Sequence, residues 1–301
     1  MTAMVKLDDL LEKTSRTFAL SIPLLPEPTR AEVGVAYLLF RIADTFEDAV
    51  SWPRERRLGA LGDLAELLRE PAAAARRAAA WSAAPPPIAH DGYQQLLLEA
   101  PRVLDAYAAL GDAARGAIAR HLGRTIDGMA RFVAGADNAG RLVLSSLDEL
   151  RDYCYAVAGI VGEMLTDLFL LDAAALAPIG ARLRERAARF GEGLQLVNIL
   201  KDSGGDAREG RSYLPATVPR EAVFALARVD LEVAGEYVRA LQEVAAPRGL
   251  VAFTALPVIL ARQSLDRVQA AGPGAKLSRQ QVRTAVEALD AALNCGAPAV
   301  P

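Results

Sequence analysis

The chain has 301 residues, 52% of them hydrophobic, with 34 basic and 37 acidic residues for a net charge of −3. That is enough apolar material for a sizeable core, and no block of Lys and Arg marks a nucleic-acid surface. The two cysteines, Cys154 and Cys295, are far apart and read as free thiols in a reducing cytoplasm.

The first stretch, "MTAMVKLDDLLEKTSRTFAL", lacks the basic-then-apolar order of a signal peptide. Apolar residues at three- and four-residue spacing predict helices over 6–18, 28–50, 53–69, 71–81, 91–109, 111–134, 147–171, 178–203, 220–228, 230–245, 249–272 and 277–294. Pro- and Gly-rich stretches separate them: "PLLPEP", "AAPPPIAHDG", "AGADNAGR" and "EGRSYLPATVP". Alternating strand patterns and Asn-Gly hairpins are missing. The fold class is therefore all-α, read as a single domain over 1–301. No run reaches the roughly 18 apolar residues of a membrane span; the nearest, from Tyr153 to Gly162, is interrupted by Glu163.

In the second helix, "VAYLLFRIADTFEDAV" (35–50) passes from apolar to acidic. Asp44 and Asp48 are four apart and share a helix face, with Cβ atoms about 5–6 Å apart, a spacing at which like charges destabilise a bare helix. Tyr37 and Arg41 lie on nearly the same face, and Glu47 is within reach. Alone, such a pair also suits a solvated helix end. The eighth helix repeats it: in "LQLVNILKDSGGDAREGRSYLP" (194–215), Asp202 and Asp206 are again four apart. Gln195, Asn198 and Asp202 form one polar stripe, and Lys201, Arg208 and Arg211 follow. Two apolar helices that each carry DxxxD can face one another across a cavity. Asp and Asn oxygens suit Mg²⁺ bound together with substrate phosphates, and neighbouring basic groups suit phosphate oxygens.

Rival chemistries lack parts. A di-iron bundle needs Glu-x-x-His on two helices, and zinc needs His or Cys sets; the two histidines, His90 and His121, supply neither. No G-x-S-x-G elbow, P-loop or strand-borne G-x-G-x-x-G occurs. A glycosidase carboxylate pair would want exposed aromatics, and the two tryptophans, Trp52 and Trp81, sit in unpromising surroundings. The residues point to a Mg²⁺-dependent helical enzyme acting on a diphosphate with an apolar tail.

The ordered set "TSRTFALSI" (14–22), "AYLLFRIADTFEDA" (36–49), "YCYAVAGIVGEML" (153–165) and "LQLVNILKDSGGDAREGRSYLP" (194–215), with "FTALPVILARQSL" (253–265) as a weaker match, resembles the squalene/phytoene synthases. These are head-to-head prenyltransferases, and the motifs stand closer to the squalene than to the phytoene branch. The resemblance implies an all-α isoprenoid-synthase bundle around a large apolar cavity. It implies Mg²⁺, two or three ions, held by Asp44, Asp48, Asn198, Asp202 and Asp206. Diphosphates would be met by Ser15, Arg16, Thr17, Arg41, Lys201 and Arg211, with Tyr37, Gln195 and Asn198 lining the polar end. Tyr153 would stand near the reacting carbons, and Val157, Ala158, Val161, Gly162 and Leu165 would line a tail channel, although close helix packing explains the same small residues. The implied reaction joins two farnesyl diphosphates through presqualene diphosphate to squalene or a related C30 product.

The alternatives are a phytoene synthase using geranylgeranyl diphosphate and a non-catalytic member that binds prenyl diphosphates or assists assembly. NADPH stays an open second cofactor, since no dinucleotide fingerprint occurs. The second motif departs from the family pattern: Gly205 follows Gly204 where an acid is usual, so the helix is expected to end or flex near Gly204. The tail "ALNCGAPAVP" carries no anchor, which implies a cytoplasmic form with peripheral membrane contact left open for product release.

Overall fold

The computed structural model describes residues 7–15, 17–69, 81, 90–137, 141–208 and 212–300, with 206–208 described by backbone alone. Among these residues the secondary structure is helical apart from one isolated bridge between Val143 and Ser212. The chain divides into two compact units, one comprising Met1–Pro23 and Glu27–Gly140, the other Leu24–Pro26 and Arg141–Pro301.

The first unit holds α1 (Asp8–Thr14), α2 (Phe18–Ser21), α3 (Thr29–Glu47), α4 (Arg54–Arg69), α5 (Asp91–Leu98), α6 (Ala100–Ala108) and α7 (Asp112–Gly135). Its central element is α3, which touches α1, α4, α5, α6 and α7. Leu38, Leu39, Ile42 and Phe46 on α3 are fully buried, and Phe46 meets the ring of Trp81 edge-on at 5.0 Å. A helix surrounded by partners can be apolar on nearly every side. From Glu32 to Glu47 the only positions not buried are Tyr37, Arg41 and Asp44.

The second unit holds α8 (Leu147–Cys154), a π-helical turn (Tyr155–Gly159), α9 (Ile160–Asp172), a 3₁₀ segment (Ala174–Ile179), α10 (Gly180–Arg208), α11 (Arg220–Glu243), α12 (Arg248–Ala271) and α13 (Arg279–Cys295). Here α10 is central and packs on α9, α11, α12 and the π turn. Its approach to the π turn and α9 is set by glycines. A Cβ at Gly162 would stand 2.0 Å from the Ala187 carbonyl oxygen, and one at Gly191 would stand 1.9 Å from that of Ala158. Only glycine allows backbones this near.

Several predicted boundaries differ from the observed ones. The helix expected over 6–18 breaks because Ser15 is extended and its Oγ accepts the Phe18 N–H at 2.9 Å, starting α2 afresh. The helix expected over 91–109 divides at Glu99, since Pro101, at the start of α6, has no N–H with which to continue α5. Helices expected at 220–228 and 230–245 are one continuous α11. The helix expected over 147–171 contains the π turn. The expected helix over 71–81 lies outside the described residues, save Trp81. The helix expected to end or flex near Gly204 instead runs to Arg208. By length and composition the stretch Leu147–Asp172 could cross a membrane, contrary to the expectation of no such segment, and 56% of its apolar window is buried inside the protein.

Candidate diphosphate and metal site

The first unit gathers the first acidic pair at the C-terminal end of α3. Tyr37, Arg41 and Asp44 are half-buried and Asp48 is exposed, a single stripe at spacings of four, three and four on an otherwise buried helix. Arg41 Nη1 lies 3.1 Å from Asp44 Oδ2. The Tyr37 hydroxyl donates to the Thr14 carbonyl at 3.0 Å, which ties α3 to the end of α1. The Arg41 guanidinium lies over two rings, Tyr37 at 5.7 Å and Tyr93 of α5 at 5.4 Å. Its Nε is buried without a hydrogen-bond partner.

Burial is the largest influence on Asp44 and pushes its carboxyl up to about 6; Arg41 pulls the other way and Asp48 adds to the rise. Asp48 is the C-cap of α3, its N–H donating to the Asp44 carbonyl at 2.8 Å. Acids at a helix C-terminus oppose the helix dipole; at this end of α3 the Arg57 guanidinium donates to the Glu47 carbonyl. Of the hydroxyl candidates upstream, Ser15 Oγ accepts the Phe18 N–H and Thr17, the N-cap of α2, is half-buried. Arg16 lies outside the described residues.

The second unit carries the second pair on α10. Gln195 and Asp202 are half-buried and Asn198 is exposed, a polar stripe beside the buried Leu196, Val197, Ile199 and Leu200. Lys201 Nζ donates to Asn198 Oδ1 at 3.0 Å and stands 3.3 Å from Asp202 Oδ2. Asp206 is four residues on, in the same helix. Arg211 lies outside the described residues.

Tyr153 is buried and its ring stacks on Tyr213 at 4.8 Å. Val157, Ala158 and Val161 are half-buried and Leu165 is buried. Gly162 is packed against the α10 backbone, as the close-packing reading requires. Two aromatic members of these clusters escaped sequence reasoning. Tyr213 lies in the quoted "GRSYLP" motif but carried no sign of stacking on Tyr153. Tyr93 has no signal beyond being an aromatic residue in a short helix.

Among the described residues, no group of three or more His, Cys, Asp and Glu stands close enough to hold a metal ion unaided. The donors present are hard oxygens in pairs. Such pairs fit Mg²⁺, which keeps several waters and takes further ligands from substrate phosphates.

The squalene/phytoene synthase family model matches residues 11–287. A squalene synthase of Schizosaccharomyces pombe is 29% identical over 209 residues, 69% of this chain and 43% of that protein. The chain thus spans less than half the length of that relative. In structure, the complex of TcSQS with the ligand E5700 matches with a TM-score of 0.79 at 25% identity, over 95% of this chain and 85% of the other. A dehydrosqualene synthase in complex with a ligand matches with a TM-score of 0.62 at 20% identity, over 97% of each chain; that likeness extends to the all-α fold alone.

Proposed function

The chain belongs to the squalene/phytoene synthase family, and we propose that it condenses two farnesyl diphosphates head to head, through presqualene diphosphate, to squalene or a related C30 product. The observation that carries this reading is the repeated stripe: a DxxxD pair, Asp44 half-buried and Asp48 exposed, with its own cation on α3, and again an acidic pair beside Lys201 on α10. The squalene synthases among its relatives favour the C15 substrate over the C20 substrate of a phytoene synthase.

Asp44, Asp48, Asn198, Asp202 and Asp206 would hold Mg²⁺. When bound, the metal neutralises diphosphate oxygens and makes the diphosphate a better leaving group. Arg41, whose side chain stays part-exposed, and Lys201 would bind the diphosphate directly, together with Arg16 and Arg211 and the hydroxyls of Ser15 and Thr17. Tyr37 holds Arg41 in place, and Gln195 lines the polar end. The stacked ring of Tyr153 would stabilise the cation left after ionisation, and its hydroxyl would take part in proton loss. Val157, Ala158, Val161 and Leu165 would exclude water from the cationic carbons. Residues 1–301 are proposed to form one catalytic domain. NADPH use would decide between squalene and dehydrosqualene. A C30 hydrocarbon product suits a cytoplasmic protein with peripheral membrane contact.

The test is incubation of purified protein with Mg²⁺ and C15 or C20 diphosphate, with and without NADPH, and product analysis by mass spectrometry. Presqualene diphosphate or a C30 hydrocarbon from the C15 substrate is the expected result. Phytoene from the C20 substrate alone would replace this reading with the phytoene synthase one. Diphosphate binding without turnover would point to a non-catalytic member.

A further inference from the structure

Gly204 and Gly205 lie between Asp202 and Asp206, and each weakens a helix by about 1 kcal/mol relative to Ala. Neither is required for space. A Cβ at Gly205 would meet nothing within 4 Å, and one at Gly204 would reach only Pro273 Cβ at 3.8 Å. Yet α10 remains helical to Arg208.

Two other parts of the same unit grip this segment from outside. Arg220, the first residue of α11, donates Nη2 to the Leu200 carbonyl at 2.7 Å and Nη1 to Ser203 Oγ at 3.3 Å. Ser203 Oγ in turn donates to the Leu200 carbonyl at 3.2 Å. The Arg220 guanidinium is held over the Phe224 ring at 5.5 Å. The loop between α12 and α13 approaches as well, and the Gly274 N–H donates to the Lys201 carbonyl at 2.7 Å. That loop is shaped by Gly272 and Gly274 at φ 85° and 83°, conformations that other residues rarely adopt. In an α-helix the carbonyls of residues 200 and 201 accept from the N–H groups of residues 204 and 205. The outside donors therefore act on the two carbonyls whose helical partners are the glycines.

Resting on the reading of Asp202 and Asp206 as metal ligands, we propose that Arg220 is a positioning residue. With the Gly274 loop, it forms an external clamp that keeps the second acidic pair in helical register across Gly204 and Gly205.

Hydrogen–deuterium exchange of the metal-free protein tests this directly. Arg220→Gln is expected to speed exchange over Asp202–Arg208 by roughly tenfold or more, the weight of a charge-assisted hydrogen bond, with α12 unchanged. Replacing both glycines in the Arg220→Gln background (Gly204→Ala with Gly205→Ala) is expected to slow that exchange again. Half-saturating Mg²⁺ for turnover should rise in Arg220→Gln and fall back in the triple variant. Unchanged exchange in Arg220→Gln would overturn the clamp and leave the proposed function standing. Rescued exchange without a rescued Mg²⁺ requirement would also overturn it, by assigning Arg220 to the substrate directly. If wild type shows no turnover, the proposed function fails while the exchange arm still judges the clamp. Should Arg220→Gln lower protection throughout α12, Arg220→Lys, which keeps the charge but not the two-pronged contact, is to show the same ranking in a smaller step; no local change in that variant overturns the clamp.

Discussion

Arg41 and Asp44 show how much chemistry one helical stripe can hold. The guanidinium is fixed from below by two tyrosine rings and from one side by Asp44, and its Nε still lacks a partner. Asp44→Asn should therefore leave the fold intact and lower turnover by at least about 100-fold, because a neutral amide is a poorer Mg²⁺ ligand than a carboxylate. Steady-state kinetics beside far-UV circular dichroism check both halves; wild-type turnover in this variant would remove Asp44 from the metal site. At Tyr213 the contact with Tyr153 is ring on ring at 4.8 Å, worth about 0.5–1.5 kcal/mol beyond area burial. Tyr213→Phe is expected to keep kcat near wild type and Tyr213→Leu to lower it by several-fold. Equal losses in both would assign the effect to the hydroxyl instead of the ring.

The elements around α10 are held by two different forces, close backbone contact and buried charge. Gly162→Ala places a methyl where the Ala187 carbonyl stands, and α9 must move away from α10. The expected cost is about 1–3 kcal/mol, read as a fall in melting temperature; an unchanged melting temperature would mean that the approach is not tight. Elsewhere on α10, Glu192 is buried 3.7 Å from Arg151, and Arg189 pairs with the fully buried Asp230 at 2.7 Å. Burial, and after it Asp230, raises the Glu192 carboxyl above the ordinary range, against the pull of Arg151 and Arg189. A carboxyl raised on folding contributes stability below its unfolded pKa and loses it as pH rises through the folded value. Glu192→Gln should therefore gain melting temperature relative to wild type as pH is raised from about 4 to about 8. A difference that is flat with pH, or that shrinks over that range, would show that Arg151 and Arg189 outweigh burial.

Over the whole molecule, the acidic pairs fall in different compact units, α3 in one and α10 in the other. If both serve one reaction, their losses do not add: Asp44→Asn combined with Asp202→Asn should be no slower than the slower single variant, since groups acting as a unit are strongly non-additive. Multiplied losses in single-turnover rates would show that the two acids contribute independently of each other. The all-α class and both acidic stripes were legible from the sequence, because helical periodicity and four-residue spacing are local properties of the chain. The break at Ser15 and the split before Pro101 were in principle legible too, as capping and backbone chemistry, but periodicity masked them. Tyr93 under Arg41 and Tyr213 on Tyr153 were not, because each pairs residues that are brought together only by packing. Nor was the continuity of α10: "SGGD" by itself reads as a helix end, and the donors that hold it come from Arg220 and Gly274. The sequence by itself determined which side chains share a helix face, a matter of local geometry. Only the tertiary structure decided which distant donors and rings complete each stripe, because those contacts depend on how separate helices pack.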